Sequence, residues 1–230
     1  EYYYPWLQHI DRLGPIGAFG EPFANYTPPY LYLLAGFSVL PVSHLIVVKI
    51  IAVLSVCWAA FGALRLIRSM GGDHGWTAAL FALALPPVIF NGPALCQPDG
   101  IWAGCCLLAR AGAVDRKLSA AAAWAGLAFA FKSQAAFLAP FLLGLVIRER
   151  EWRALFIPPL IYLAAIAPAW AAGWPLPDLL TIYLQQASLL FDGNAPNIWA
   201  IPIALGYVGP FDAGYIAGAL AAVTVAIITF

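Results

Sequence analysis

Lys132 and Gln134 stand in the stretch Phe129-Ala130-Phe131-Lys132-Ser133-Gln134-Ala135-Ala136-Phe137, and Lys132 is the only charged residue between Lys117 and Arg148. A lysine at a bilayer centre costs about 2.5–3.5 kcal/mol on insertion scales. It therefore either reaches an interface or is rewarded by an anion. An ammonium beside a carboxamide combines a point charge with a neutral donor, which suits a phosphate. Gln97 and Asp99 form a second polar pair. Asp99 is able to order a hydroxyl or a metal, and equally to cap a helix that starts at Gly100. Asn197 and Trp199 form a third, suited to lining a sugar pocket, although Trp199 also fits an interfacial anchor. Pro28, Pro29 and Tyr30 shape the first segment of the chain.

Other chemistries find no support. There is no phosphate-binding Walker loop and no Gly-x-Gly-x-x-Gly motif. His9, His44 and His74 share no ligand spacing, and Cys57, Cys96, Cys105 and Cys106 form no Cys-x-x-Cys pair, so no zinc site is expected. Three of the cysteines lie in apolar runs and read as packing thiols. The formal net charge is zero, and no nucleic-acid partner is expected.

The elements that must hold these residues follow from composition. The chain is 63% hydrophobic and 10% charged, with mean hydropathy +0.84, where a soluble domain carries about 25% charged residues. It cannot cover its surface with polar groups, so its solvent is lipid. Long uncharged runs predict an all-α polytopic membrane protein rather than a β-barrel. Residues 1–42 form a first outer loop with aromatic residues and an interfacial helix near residues 30–40, too short to cross. Residues 43–172 hold the transmembrane helices, residues 173–212 a second outer loop with its own interfacial helix, and residues 213–230 a last span, for about seven spans in one domain. Asn25-Tyr26-Thr27 matches a glycosylation sequon and reads as a chance match in a turn.

Charge gives the orientation. Arg65, Arg68, Arg110, Arg116, Lys117, Arg148, Arg150 and Arg153, eight of eleven basic residues, fall on one side, which the positive-inside rule makes cytoplasmic. Glu1, Asp11, Glu21, Asp99, Asp178, Asp192 and Asp212 fall on the other. The parity closes only if residues 118–147 form a hairpin. One 30-residue helix would be about 45 Å long and would bury Lys132 in mid-bilayer. The hairpin puts Lys132 on the outer side with Gln97, Asp99 and Asn197.

Four stretches then resemble motifs of the multispanning glycosyltransferases of the C superfamily, which use polyprenyl-phosphate sugars. The likeness is to bacterial members and to the dolichyl-phosphate-glucose glucosyltransferases of the endoplasmic reticulum. Asn25-Tyr26-Thr27-Pro28-Pro29-Tyr30 resembles the family's Tyr-Pro-Pro-Leu, with Thr27 inserted and Tyr30 in place of Leu. Cys96-Gln97-Pro98-Asp99 resembles its Gln-x-Asp, and Phe131-Lys132-Ser133-Gln134-Ala135 its Phe-Lys-x-Gln-Ala. Asn194-Ala195-Pro196-Asn197-Ile198-Trp199 resembles its Asn-x-x-Asn-x-Trp.

The resemblance implies an inverting hexose transfer from a polyprenyl-phosphate sugar to an extracytoplasmic acceptor. That acceptor is a lipid-linked glycan, a polysaccharide or a protein. It implies substrate binding by Lys132, Gln134, Gln97, Tyr30, Asn197 and Trp199, with Asp99 as a second acid. A divalent metal is compatible with it; no other cofactor is expected. The family's catalytic aspartate, and the first transmembrane helix, are expected just ahead of Glu1. The Ala-rich composition points to a bacterial inner membrane with the site facing the periplasm, or to the endoplasmic reticulum membrane in a eukaryote. Two other readings stand beside this one: a transporter or flippase of lipid-linked saccharides, and a polysaccharide polymerase or ligase. A transporter would show repeated halves, which this sequence lacks.

Overall fold

Apolar runs become helices here, and proline, glycine or charge ends them. In the computed structural model, which describes residues 3–189, every regular element is helical. Helix α1 (Tyr4–Leu13) has Pro5 in its first turn and closes at Gly14, whose φ of 80° lets its N–H return to Ile10 O. Its Trp6, Leu7 and Ile10 face inward while Gln8, Asp11 and Arg12 stay exposed, an amphipathic pattern suited to lying on the bundle. Helix α2 (Pro28–Ser38) starts on two prolines, which lack the N–H that a first turn cannot use.

The long α3 (His44–Ser69) follows, then α4 (Gly75–Ala84) and α5 (Pro86–Ile89), which runs into a π turn, Phe90–Ala94. Pro86 and Pro87 break this return path, which bends by 62°. Next come α6 (Asp99–Val114), α7 (Leu118–Phe131), α8 (Ala139–Glu149), α9 (Ile157–Ala172) and α10 (Leu176–Leu189). Short 3₁₀ turns precede α8 (Ser133–Leu138) and α9 (Trp152–Phe156).

Two segments are long and apolar enough to cross a membrane alone, His44–Ser69 and Trp152–Ala172. The bent pair Gly75–Ala84 and Pro86–Ala94 makes a third if it counts as one span. Against the expected seven, α6, α7 and α8 have 16, 14 and 11 residues. As helix these reach about 24, 21 and 17 Å, short of a hydrocarbon core of roughly 30 Å. The expected last span lies outside the described residues.

The helices pack side by side, with α6 between α3 and α7, α7 between α6 and α9, and α4 against α3. Small residues allow this approach. A Cβ on Gly100 would sit 2.2 Å from Ser55 O, and one on Gly104 2.4 Å from Trp58 Cδ1. The expected break at Lys132 is present. Its φ of −156° and ψ of 133° are extended, and α7 ends there. Leu118 at the start of α7 shares a core cluster with Val146 near the end of α8, so the two helices run antiparallel and the lysine sits at the bend.

The ends of the bundle differ in chemistry. At one end Arg65 approaches Asp115 at 3.9 Å, Arg68 lies over Trp76 and Arg110 over Phe141, and Arg116 shares a cleft with Arg148 and Glu149. At the other, α1 and α2 pack on the tops of α3, α7 and α9 through Leu7, Ile10, Tyr30, Leu31, Leu34, Val47, Ala130 and Ile166.

The last turn of α7 shows how this second end is tied. A helix leaves its final carbonyls without intrahelical donors. Lys132 N–H returns to Ala128 O, Tyr183 O–H donates to Phe129 O, and Thr27 Oγ1 donates to Ala130 O at 2.7 Å. Thr27 is 1% exposed, so the sequon threonine is a structural donor. Replacing it with valine keeps the shape and orphans the Ala130 carbonyl. We expect a loss of about 1–3 kcal/mol, measured as unfolding free energy in detergent against wild type.

Candidate functional site

The Lys132 end gathers its polar groups around Asp99. Helix α6 begins at Asp99, after Pro98, and the carboxylate does not cap the helix. Instead Lys132 Nζ donates to Asp99 Oδ1 in a direct ion pair. Trp102 Nε1 donates to the same oxygen at 3.2 Å, and Asn91 Nδ2 donates to Oδ2 at 3.0 Å. The helix-capping reading of Asp99 is thereby corrected: the bend at Lys132 brings an ammonium close enough to take the carboxylate. Both side chains keep about a quarter of their surface open, 23% for Lys132 and 27% for Asp99, so a ligand can reach them.

Asp99 lies ahead of the apolar part of α6, outside the segments long enough to cross a membrane. Burial alone would raise its pKa. The hydrogen bond and charge of Lys132, followed by the bonds from Asn91 and Trp102, outweigh burial and hold it below the ordinary carboxylate value. The folded pKa is therefore the lower one. The pair's stabilisation is present above the unfolded value of about 3.9 and is lost as pH falls through the folded one. Near neutrality Asp99 is an anion, held in an ion pair with Lys132.

Gln97 is placed by a turn. Cys96 adopts φ 59°, uncommon for a residue with a side chain, and Gln97 N–H donates to Asn91 O at 2.9 Å. Its Oε1 accepts from Tyr3 O–H at 3.0 Å. Tyr30 is only 1% exposed, with its ring 5.5 Å from that of Tyr3 and 5.6 Å from that of Tyr26. The ring packs beneath Tyr3. Gln134 is exposed beside the bend, and its nearest polar partner is Ser133 Oγ at 3.5 Å; it does not join the Asp99 cluster. Asn197 and Trp199 lie outside the described residues.

Asn91, Trp102 and Tyr3 are site residues that sequence reasoning missed. Trp102 carried a signal, since it stands one helical turn after Asp99. The Asn91–Asp99 and Tyr3–Gln97 contacts span a loop and 94 residues respectively, and no short-range pattern encodes them.

Beside the bend opens an apolar groove of about 610 Å³ between α7, the Ser133–Leu138 turn, α8 and α9. It starts at Phe129, Ala135 and Ala136, within four residues of Lys132, and continues to Leu118 and Ala154 at the arginine-rich end. Among the described residues no three His, Cys, Asp or Glu side chains gather to hold a metal. The chain matches no protein-family model, no curated protein and no solved structure.

Proposed function

We propose that this chain belongs to a membrane glycosyltransferase that moves a hexose, with inversion, from a polyprenyl-phosphate donor to an extracytoplasmic acceptor. The observation that carries this reading is the Lys132–Asp99 pair. It joins two motifs 33 residues apart, at the end of the bundle opposite the arginines. In the proposed topology α3, the bent α4–α5 pair, α6, α7, α8 and the Trp152–Ala172 segment all cross. The arginine-rich end faces the cytoplasm and the Lys132 end the periplasm of a bacterial inner membrane.

In this reading the donor's phosphate takes Lys132 from Asp99, and its isoprenoid chain lies along the apolar groove. The acceptor oxygen bonds to the anomeric carbon from the face opposite the phosphate. The bond from that carbon to the phosphate oxygen breaks, and the lipid phosphate leaves with the electron pair. The hydroxyl's proton passes to a carboxylate base, the role that the family resemblance gives to an aspartate. Lys132 offsets the charge growing on the leaving phosphate, and the freed Asp99 orders the acceptor hydroxyl.

The test uses full-length protein in vesicles with radiolabelled polyprenyl-phosphate hexoses. The expected result is sugar release or transfer without any nucleotide sugar. Absence of turnover with mannose, glucose and galactose donors would overturn the proposal.

A further inference from the structure

A second cavity lies at the same end, against Cys96 and Gln97. It measures about 220 Å³ and lies between α1, the start of α3 and the turn, lined by Tyr3, Tyr4, Leu7, His44, Leu45 and Gln97 among others. Drug-sized ligands need pockets of roughly 300–1,000 Å³; this one suits a single small ring. Its lining carries no lysine or arginine, and the nearby Lys49 Nζ already donates to Pro93 O at 3.0 Å. The occupant is therefore not an anion.

The hydrogen-bonding capacity that remains is specific. Gln97 Oε1 is taken by Tyr3 O–H, which leaves the amide nitrogen as donor. His44 Nε2 lies 2.7 Å from Asp11 Oδ2. A carboxylate only accepts, so Nε2 carries a hydrogen, and Nδ1 is the ring nitrogen left over. The Gln97 amide N–H and this ring nitrogen suit a hydroxyl, which both donates and accepts. Around them the Tyr4 and His44 rings meet edge to face, 5.4 Å between centroids, and Leu7, Leu45, Val48 and Leu95 complete an apolar wall. Aromatic faces are negative and attract polarised C–H groups. A molecule with a C–H face and a hydroxyl rim is a pyranose.

We propose that this cavity is a saccharide subsite for one neutral pyranose ring. Resting on the glycosyltransferase reading, we assign that ring to the acceptor, since Gln97 lies two residues from Asp99. The test is saturation-transfer NMR of methyl hexopyranosides, glucoside, galactoside and mannoside, with the full-length protein in nanodiscs. Tyr4 and Leu45 are 53% and 60% exposed, so Tyr4→Ala and Leu45→Trp leave the core alone while removing one wall or filling the space. Each should weaken binding of at least one hexoside fivefold or more. Leu80→Trp, on an exposed face of α4, should not.

Hexoside binding that is absent in wild type, or equal in wild type and both pocket variants, overturns the subsite. Donor turnover is read separately on the same samples. Turnover without pocket-dependent hexoside binding removes the subsite and leaves the transferase. Pocket-dependent binding without turnover keeps the saccharide subsite and removes its assignment to an acceptor.

Discussion

Lys132→Ala is expected to raise the KM for a polyprenyl-phosphate sugar by about 10- to 150-fold, the equivalent of one charge-assisted hydrogen bond worth roughly 1.5–3 kcal/mol. The change also strips Asp99 of its ammonium. For fully buried pairs such a loss costs about 3–5 kcal/mol, and for exposed pairs about 0–1. With about a quarter of each side chain open to solvent, the stability loss should lie between these, about 1–3 kcal/mol. A companion variant separates the two effects. Asp99→Asn keeps the shape and one acceptor oxygen, gives up the acceptor at the other position and removes the charge that holds the ammonium, so donor KM should hold or fall while kcat drops. A phosphate role for Lys132 thus predicts a split, KM for the lysine and kcat for the aspartate. A purely structural pair would damage both variants alike, and an unchanged donor KM in Lys132→Ala would remove the phosphate role.

Gly100→Ala should be the most destabilising single methyl in the described chain. Its Cβ would stand 2.2 Å from Ser55 O and 2.4 Å from Ser55 C, and both are backbone atoms of α3, so no rotamer change relieves the overlap. The α3–α6 pair must separate, at a cost of about 3 kcal/mol or more. Because Asp99 is the neighbouring residue, the shift also moves the carboxylate relative to Asn91 and Lys132, which lie outside α6. Gly36→Ala is the control. That glycine is exposed within α2 with nothing within 4 Å of the added carbon, so alanine should be neutral or stabilise by about 0.5–1 kcal/mol. Apparent melting temperatures in detergent check the contrast.

Much of this architecture was legible because membrane sequences report on their solvent. The scarcity of charge predicts helices, Pro28-Pro29 and Pro86-Pro87 predict a start and a break, and Lys132 predicts a bend because an unbroken helix would bury it. What could not be read was partner choice. Lys132 and Gln134 suggested a phosphate, but the resting lysine turns to Asp99, a contact that exists only once α7 bends back. Tyr30 sat in a motif and looked available, yet α1 folds over it and only its neighbour Tyr3 reaches the polar cluster. Lys49, one turn inside α3, donates to Pro93 O in the proline-broken turn, a partner that no local pattern announces.

The ties that hold α1 and α2 have a temporal consequence. Tyr3 bonds to Gln97, Thr27 to Ala130, and Tyr32 O–H accepts Ala169 N–H, which follows Pro168 in α9. The partners lie 94, 103 and 137 residues downstream. At roughly 5–20 residues per second of synthesis, the last waits about 7–27 s to be made. For that interval α1 and α2 have α3 to pack on but lack the part of their docking face that α9 supplies through Ile166 and Ala169. Helices this short depend on tertiary packing rather than on their own propensity, so the set of ties that holds this segment is complete only when α9 arrives.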